Sequence, residues 1–190
     1  TMVDEPKGAD AVIINTCGFI DLAKEESVSA ILEAAELKRR GDIGSLYVAG
    51  CLSERYGGDL EQEIPEVDAF FGVTDFTNIL RTISPNHKYD LISERYVPPG
   101  SKSAYLKISE GCDNPCSFCA IPLMRGGHVS RPLDDILIEA RHLASSGVRE
   151  LVVVGQDTTY WGRDLFGRRA LSELLTKLSD VRGIEWIRLM

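Results

Sequence analysis

Three cysteines lie close together in the second half of the chain, at Cys112, Cys116 and Cys119. Their spacing, C-x3-C-x2-C, allows three thiolates to converge on one inorganic centre, and the turn-forming residues around Cys112 allow the backbone to wrap around it. Three protein ligands leave one iron of a 4Fe-4S cube open to a substrate or cofactor, whereas an electron carrier usually has four. The spacing therefore predicts a 4Fe-4S cluster with an open iron.

This cysteine loop has two other interpretations. Zinc could bind the three thiolates with His128 as the fourth ligand, because structural zinc prefers four Cys or His ligands. The thiols could also be inert buried side chains. Zinc sites more often use paired C-x2-C knuckles, so the spacing favours iron and sulfide.

The other two of the five cysteines, Cys17 and Cys51, each follow an apolar segment that we predict to be a strand. Residues just past the ends of adjacent parallel strands lie at one edge of a sheet, where α/β folds bind their ligands. The two thiols can therefore meet although 34 positions separate them. Free cysteine is also commonly buried as a small hydrophobic residue, so a structural role stays open.

The elements that position these cysteines alternate between strand and helix. Short β-branched runs predict strands, and apolar residues at helical spacing predict helices. In the first half these segments are strands 11–14, 46–49 and 69–73 and a helix over 21–40. In the second half they are strands 105–108, 151–154 and 184–189 and helices 133–146 and 170–178. The pattern predicts an α/β fold with parallel sheets and places the cysteine loop directly after a strand.

A stretch without periodicity separates the two halves and contains Pro85, Pro98, Pro99 and Gly100. We predict an amino-terminal βαβ domain of Rossmann or flavodoxin type over residues 1–84, a linker over 85–103 and a second unit over 104–190. The second unit has three strands of what we expect to be a longer (β/α) barrel or sheet. The sequence is therefore expected to be part of a longer protein.

Composition indicates which partners and which cellular location to expect. The formal charge of −8 is unlike the basic surface of a typical nucleic-acid binder. No apolar run approaches the roughly 18 residues that cross a bilayer, and the polar start does not resemble a secretory signal. Cysteines that suit metal ligation indicate a reducing compartment. We expect a cytoplasmic monomer that does not contact a membrane.

The cysteine loop, with the aromatic Phe118 just before its third cysteine, resembles the signature of the radical S-adenosylmethionine (radical SAM) superfamily. The resemblance implies that the amino and carboxylate groups of S-adenosylmethionine chelate the open iron held by Cys112, Cys116 and Cys119. An electron from the cluster then cleaves the cofactor to methionine and a 5′-deoxyadenosyl radical. Phe118 would pack near the cofactor in such a site, or be an aromatic residue of the core.

Two further segments, Asn-Thr-Cys-Gly-Phe-Ile around Cys17 and Ala-Gly-Cys-Leu around Cys51, resemble the methylthiotransferase family within that superfamily. The resemblance implies an auxiliary 4Fe-4S cluster on Cys17, Cys51 and a third cysteine upstream. No cysteine precedes Cys17 in this sequence. We therefore expect the βα unit that carries the third ligand to lie outside it.

The family has two branches, and three segments, 104–112, 121–126 and 155–162, resemble the one that modifies an aspartate of a small-subunit ribosomal protein. The transfer-RNA branch typically has glutamine-asparagine-valine-asparagine at the positions of Gln156–Thr159. The resemblance implies insertion of a methylthio group at the aspartate β-carbon. Modification of a transfer-RNA adenosine, or a module whose clusters only carry electrons, are the alternatives.

Several polar residues near these motifs are candidates for contact with cofactor or substrate. Gln156 would bind the cofactor, and Asp157, Thr158 and Thr159 would hold the target aspartate at the strand edge where barrel enzymes build their sites. Asp and Thr are also good caps for a following helix. Arg125, and likewise Arg131, could pair with a carboxylate or be structural. His128 has no neighbouring nucleophile and is not expected to be catalytic.

The resemblance also implies the course of the reaction and its partners. One S-adenosylmethionine methylates a sulfur associated with the auxiliary cluster, and a second is cleaved at the cluster of the cysteine loop. The radical removes a hydrogen from the β-carbon, which then receives the methylthio group. An electron-donor protein, a sulfur source and the ribosomal protein or ribosome are the implied partners. Residues 1–190 alone are expected to be inactive on the protein substrate.

Overall fold

The computed structural model describes Val3 and residues 5–73, 75–83 and 95–190, with only the backbone of residues 76 and 77. These residues form two compact units. The first holds the elements up to residue 83 together with Leu123–Arg125, and the second holds the remainder from residue 95 onward. Residues 84–94, which include Pro85 and much of the predicted linker, lie outside the described residues. The domain boundaries therefore stay a prediction.

The first unit is a three-stranded parallel sheet with strand order β1-β2-β3. Its elements are β1 (Ala11–Thr16), α1 (Asp21–Arg39), β2 (Ser45–Gly50), α2 (Cys51–Glu63), β3 (Ala69–Phe71) and α3 (Phe76–Ile83). The register pairs Thr16 with Gly50. Cys17 and Cys51 are therefore each the next residue after a paired position at the carboxyl edge of the sheet.

The core of this unit lies between α1 and the sheet. Ile31, Ala34 and Ala35 occur at helical spacing and are buried, because this face of α1 packs against the central strand β2. Leu46 and Val48 on β2 have no exposed surface. Burial of these side chains, at roughly 1.5–3 kcal/mol for each large apolar residue, fixes the strand whose carboxyl end carries Cys51.

The second unit contains a three-stranded parallel sheet with order β4-β7-β8 and a separate antiparallel pair, β5-β6. The strands are β4 (Ser103–Lys107), β5 (Ser109–Glu110), β6 (Val129–Ser130), β7 (Glu150–Val154) and β8 (Trp186–Leu189). The helices of this unit are α5 (Leu133–Ser145), α6 (Arg163–Phe166) and α7 (Leu171–Ser179), with a 3-10 turn at Thr158–Tyr160. The short helix α4 (Ile121–Arg125) lies between β5 and β6 in the chain, and its last three residues belong to the first unit. Helices α5 and α7 cover the parallel sheet with one shared core, in which Leu106, Ile136, Leu151 and Leu174 are fully buried.

The predicted α/β fold class is confirmed, since both three-stranded sheets are parallel and helices connect their strands. One detail of the prediction was wrong. The cysteine loop follows a strand directly, as predicted, but that strand is β5 and not the predicted strand 105–108, because Ser109 and Glu110 leave the parallel sheet and pair with Val129 and Ser130. None of the described helices is both long and apolar enough to span a bilayer.

Candidate functional site

The cysteine loop begins at Gly111, where two backbone segments touch. Gly111 has a φ of +72°, and a Cβ there would lie 2.1 Å from the carbonyl oxygen of Gly127. The next residue, Cys112, donates its backbone N–H to the carbonyl of Gly126 over 3.2 Å. Only glycine allows both the left-handed backbone and this close approach. Segment 126–127 therefore supports the first turn of the loop.

The three cysteines of the loop differ in exposure. Cys112 is buried, Cys119 is half-buried and Cys116 is exposed. The backbone N–H of Asn114 faces the Cys112 sulfur at 3.5 Å, and the N–H of Cys119 donates to the carbonyl of Cys116 over 3.1 Å. Backbone N–H groups directed at cysteine sulfur are typical of iron–sulfur sites, where they stabilise thiolate charge. The donor set of this loop fits a cluster.

The described residues contain no group of three or more His, Cys, Asp or Glu side chains placed to hold a metal ion. The three thiols of the loop are therefore proposed ligands on the basis of their spacing and not of an assembled site in the described residues. His128, the candidate fourth ligand for zinc, is likewise not grouped with them. Its ring is buried, and Nε2 lies 3.1 Å from Ser130 Oγ and 4.0 Å from a carboxylate oxygen of Asp164. Both of these contacts are made by Nε2, and Nδ1 is buried without a hydrogen-bond partner.

Two consecutive side chains hold the cysteine loop against the rest of the second unit. Asp113 Oδ1 accepts the backbone N–H of His128 over 2.8 Å. Asn114 Nδ2 donates to Asp157 Oδ2, also over 2.8 Å. The loop is therefore joined to the segment after α4 on one side and to the loop after β7 on the other.

The carboxylate of Asp157 is fully engaged. Its Oδ1 accepts the backbone N–H of Thr159 over 3.0 Å and the Thr159 hydroxyl over 2.7 Å, which caps the 3-10 turn, while Oδ2 receives Asn114. Desolvation raises the pKa of Asp157, but hydrogen bonds from Thr159 and Asn114 and the charge of Arg169 outweigh it, so the pKa is lowered from its usual value. The capping role considered from the sequence is thus the one that the contacts show.

The other residues of the tetrad Gln156–Thr159 have distinct surroundings. Thr158 is buried and donates its hydroxyl to the carbonyl of Met190 over 3.2 Å, whereas Thr159 is exposed. Gln156 Nε2 donates to Glu110 Oε1 over 3.0 Å, and Gln156 Oε1 is buried without a hydrogen-bond partner. The Ser109 hydroxyl is buried and unpartnered as well. Two unsatisfied buried polar atoms at the carboxyl ends of the strands fit the polar groups of a bound cofactor.

Three further candidates are placed as follows. Phe118 is 92% exposed, so the alternative that it belongs to the core is wrong. Arg125 is the half-buried last residue of α4. Arg131 donates to the carbonyl of Lys107 and to Glu139 Oε2, each over 2.6 Å. Glu139 also accepts from Arg95 over 2.9 Å. Arg131 is therefore part of an ion-pair network, as its structural interpretation anticipated.

In the first unit, Cys17 and Cys51 line one cleft of about 520 Å³ at the carboxyl edge of the sheet. Cys17 is exposed and Cys51 is buried. Two glycines let the backbones approach here. A Cβ at Gly18 would lie 2.8 Å from the Cys51 carbonyl oxygen, and one at Gly50, where φ is +108°, would lie 2.5 Å from that of Thr16. The cleft is thus built around both predicted ligands.

Comparisons with known proteins agree with this geometry. Residues 1–72 match a family described as "Uncharacterized protein family UPF0004", and residues 106–189 match the radical SAM superfamily. Proteins named "Ribosomal protein uS12 methylthiotransferase RimO" are similar over almost the whole chain. The one from Christiangramia forsetii is 54% identical over 99% of this chain and 42% of its own length. The one from Cytophaga hutchinsonii is 51% identical over 95% of this chain and 41% of its own length. The one from Symbiobacterium thermophilum is 50% identical over 95% of this chain and 40% of its own length. The chain belongs to the radical SAM methylthiotransferase family.

The predicted family is therefore confirmed, and the chain spans about two fifths of the length of the relatives it matches. The radical SAM match covers the parallel sheet, the cysteine loop and Gln156–Thr159. The other match covers Cys17 and Cys51. The roles of individual residues stay predictions.

Three polar residues near the cysteine loop were not identified from the sequence as candidate site residues. Ser109 and Glu110 lie between a predicted strand and the first cysteine of the loop, at the strand edge where barrel enzymes place functional groups. That position was the available signal. Asn114 was interpreted only as a turn former, and no sequence pattern connects it with Asp157, 43 positions away.

Alanine at Gly111 and at Gly126 is expected to affect the stability of the protein unequally. Both glycines have positive φ, +72° and +71°, so alanine is strained at either position whatever the space around it. Only at Gly111 does the new Cβ meet backbone, since nothing lies within 4 Å of a Cβ at Gly126. Overpacking typically costs about 1–3 kcal/mol, and Gly111→Ala should lower the free energy of unfolding by that much more than Gly126→Ala. Urea denaturation of the full-length protein followed by circular dichroism measures both, and equal losses would contradict the close approach.

Proposed function

We propose that the protein containing this chain methylthiolates an aspartate of a small-subunit ribosomal protein, at the β-carbon, by radical SAM chemistry. The observation that carries the proposal is the cysteine loop in a chain about 54% identical to proteins named for methylthiotransfer to ribosomal protein uS12. The tetrad Gln156–Thr159 and the charge of −8 also support a protein substrate over transfer RNA.

In this proposal Cys112, Cys116 and Cys119 hold a 4Fe-4S cluster with one open iron. The bound cluster and S-adenosylmethionine together supply an electron and a 5′-deoxyadenosyl radical that removes hydrogen from the target carbon. The protein contributes orientation. Gln156 Oε1 and the Ser109 hydroxyl are buried and unpartnered, and they are the groups that would bind polar atoms of the cofactor.

Phe118 and Arg125 are further contact residues in the proposal, although Arg125 lines the cleft of Cys17 and Cys51. Phe118 is exposed on the loop between two cluster ligands, where its ring can cover a bound cofactor. Arg125 supplies a cation that can pair with a carboxylate of the cofactor or the target aspartate. Thr158 and Thr159, with Asp157, shape the strand edge at which the aspartate would bind.

Cys17 and Cys51 supply two ligands of an auxiliary 4Fe-4S cluster, whose third ligand is not in this sequence. Their side chains border one cleft, so a sulfur bound there can be reached from solvent. The proposed division of labour is cofactor cleavage in the second unit and sulfur delivery in the first. A cytoplasmic monomer, an electron-donor protein and a sulfur source complete the proposal.

The test supplies both candidate substrates to the full-length protein. After anaerobic reconstitution with iron and sulfide, the protein is incubated with dithionite, S-adenosylmethionine and either ribosomal protein or transfer RNA. Mass spectrometry is expected to find the methylthio increment on an aspartate of the ribosomal protein and none on the RNA. A methylthio increment found on transfer-RNA adenosine alone would place the protein in the transfer-RNA branch. Formation of 5′-deoxyadenosine without a methylthio group on either substrate would contradict the transferase assignment.

A further inference from the structure

Asn114 contacts both the first cluster ligand and a distant loop. Its backbone N–H faces the Cys112 sulfur at 3.5 Å, and its side-chain amide donates to Asp157 Oδ2 over 2.8 Å. The two contacts use the same residue, so the side-chain hydrogen bond restricts the direction in which the backbone N–H points. A displacement of Asp157 would therefore change the environment of the sulfur.

The acceptor in this pair is itself fixed. Asp157 Oδ1 is held by the backbone N–H and hydroxyl of Thr159. The loop of Asp157 begins where β7 ends, and β7 is the central strand of the parallel sheet of the second unit. The Asn114 side chain is thus hydrogen-bonded to a residue that is itself held in place outside the cysteine loop.

The same peptide is restrained from its other end. Asp113 Oδ1 accepts the backbone N–H of His128 over 2.8 Å, and the His128 ring is buried. The peptide bond between Asp113 and Asn114, which carries the N–H that faces Cys112, is therefore flanked by two anchored side chains. Such double anchoring costs chain entropy and exceeds what a turn alone needs.

We propose that Asn114 and Asp157 are a positioning pair that raises the reduction potential of the cluster on Cys112 by fixing the N–H···S hydrogen bond. Hydrogen bonds to cluster sulfurs stabilise the more negatively charged reduced state and are one of the main determinants of cluster potential. The inference rests on the proposed function, because it requires a cluster at Cys112, Cys116 and Cys119.

The experiment uses the full-length protein with Cys17 and Cys51 both replaced by alanine, so that one cluster is titrated. In this background Asn114→Ala removes the side-chain bond without adding charge. The reciprocal exchange, Asn114→Asp with Asp157→Asn, keeps the hydrogen bond between the two positions but reverses its direction, so that the new amide at 157 donates to the new carboxylate at 114. The amide oxygen at 157 can still accept from Thr159. Ser117→Ala is the matched control, because Ser117 is an exposed residue of the same loop.

The cluster potential is measured by redox titration followed by electron paramagnetic resonance, with iron content determined in parallel. Asn114→Ala is expected to shift the reduction equilibrium about tenfold toward the oxidised cluster, about 59 mV for one electron. The exchange variant should recover more than half of the shift, and Ser117→Ala should match the parent. A shift in Asn114→Ala no larger than in Ser117→Ala overturns the inference, as does an exchange variant that recovers nothing.

Two further outcomes are distinguishable. If Asn114→Ala binds no iron, the exchange variant decides: a parent-like potential supports the positioning pair, and a loss of iron or a lowered potential there contradicts it. If the parent protein itself binds no cluster, the proposed function fails before the positioning pair is tested.

Discussion

Replacement of Cys116 by alanine in the full-length protein is expected to remove cofactor cleavage. Mutation of a residue that hydrogen-bonds to a metal ligand typically lowers metal affinity or activity by about 10- to 100-fold. Loss of a ligand itself should therefore lower the rate of 5′-deoxyadenosine formation by more than about 100-fold. Cys116 is exposed, and its removal leaves the packing of the second unit unchanged. Chromatographic assay of 5′-deoxyadenosine under dithionite measures the effect.

The same assay on Cys112→Ala and Cys119→Ala should give the same loss, because an iron site with three protein ligands needs all of them. Ser117→Ala in the same loop is the control and should retain the parent rate. Retention of cleavage in any one of the three cysteine variants would remove that residue from the ligand set. Retention in all three would place the chemistry elsewhere.

Replacement of Cys51 by alanine is expected to separate the two halves of the reaction. The variant should lose about four of about eight irons per chain and more than about 100-fold of its methylthiolation rate. Formation of 5′-deoxyadenosine should persist, because Cys51 belongs to the first unit and the cysteine loop to the second. Iron analysis, mass spectrometry of the protein substrate and the cleavage assay are run on one preparation.

The matched control for this variant is Ser53→Ala. Ser53 is buried on the same first turn of α2, and its hydroxyl has no hydrogen-bond partner, so its removal should cost little. Cys17→Ala should behave as Cys51→Ala does. Equal loss of cleavage and methylthiolation in the Cys51 variant would contradict independent roles for the two cysteine sets.

The regular elements were accessible from the sequence because their patterns are long enough to carry a period. The run Ala11–Ile14 predicted a buried strand. The structure confirms the strand and extends it to Thr16, but β1 is an edge strand, so these four residues are only partly buried or, at Ile13, exposed. The rule that parallel strands share a carboxyl edge placed Cys17 next to Cys51, and the register of Thr16 with Gly50 agrees. The strand pattern and this topological rule were together sufficient to predict that the two cysteines lie at the same edge of the sheet.

The remaining features depend on contacts between distant residues. Strands β5 and β6 have two residues each, which is too short for any alternation to be recognised. The approach of Gly111 to Gly127 depends on a backbone crossing that no local pattern encodes. Burial also separated alternatives that the sequence left open, since Phe118 is exposed and Arg131 is paired with Glu139.

The most direct test of the central claim is electron paramagnetic resonance of the dithionite-reduced full-length protein, with and without S-adenosylmethionine. Alanine at both Cys17 and Cys51 leaves only the cluster proposed for Cys112, Cys116 and Cys119. Because three protein ligands leave one iron open, addition of the cofactor is expected to change the spectrum of the reduced cluster. Identical spectra with and without S-adenosylmethionine would contradict the account.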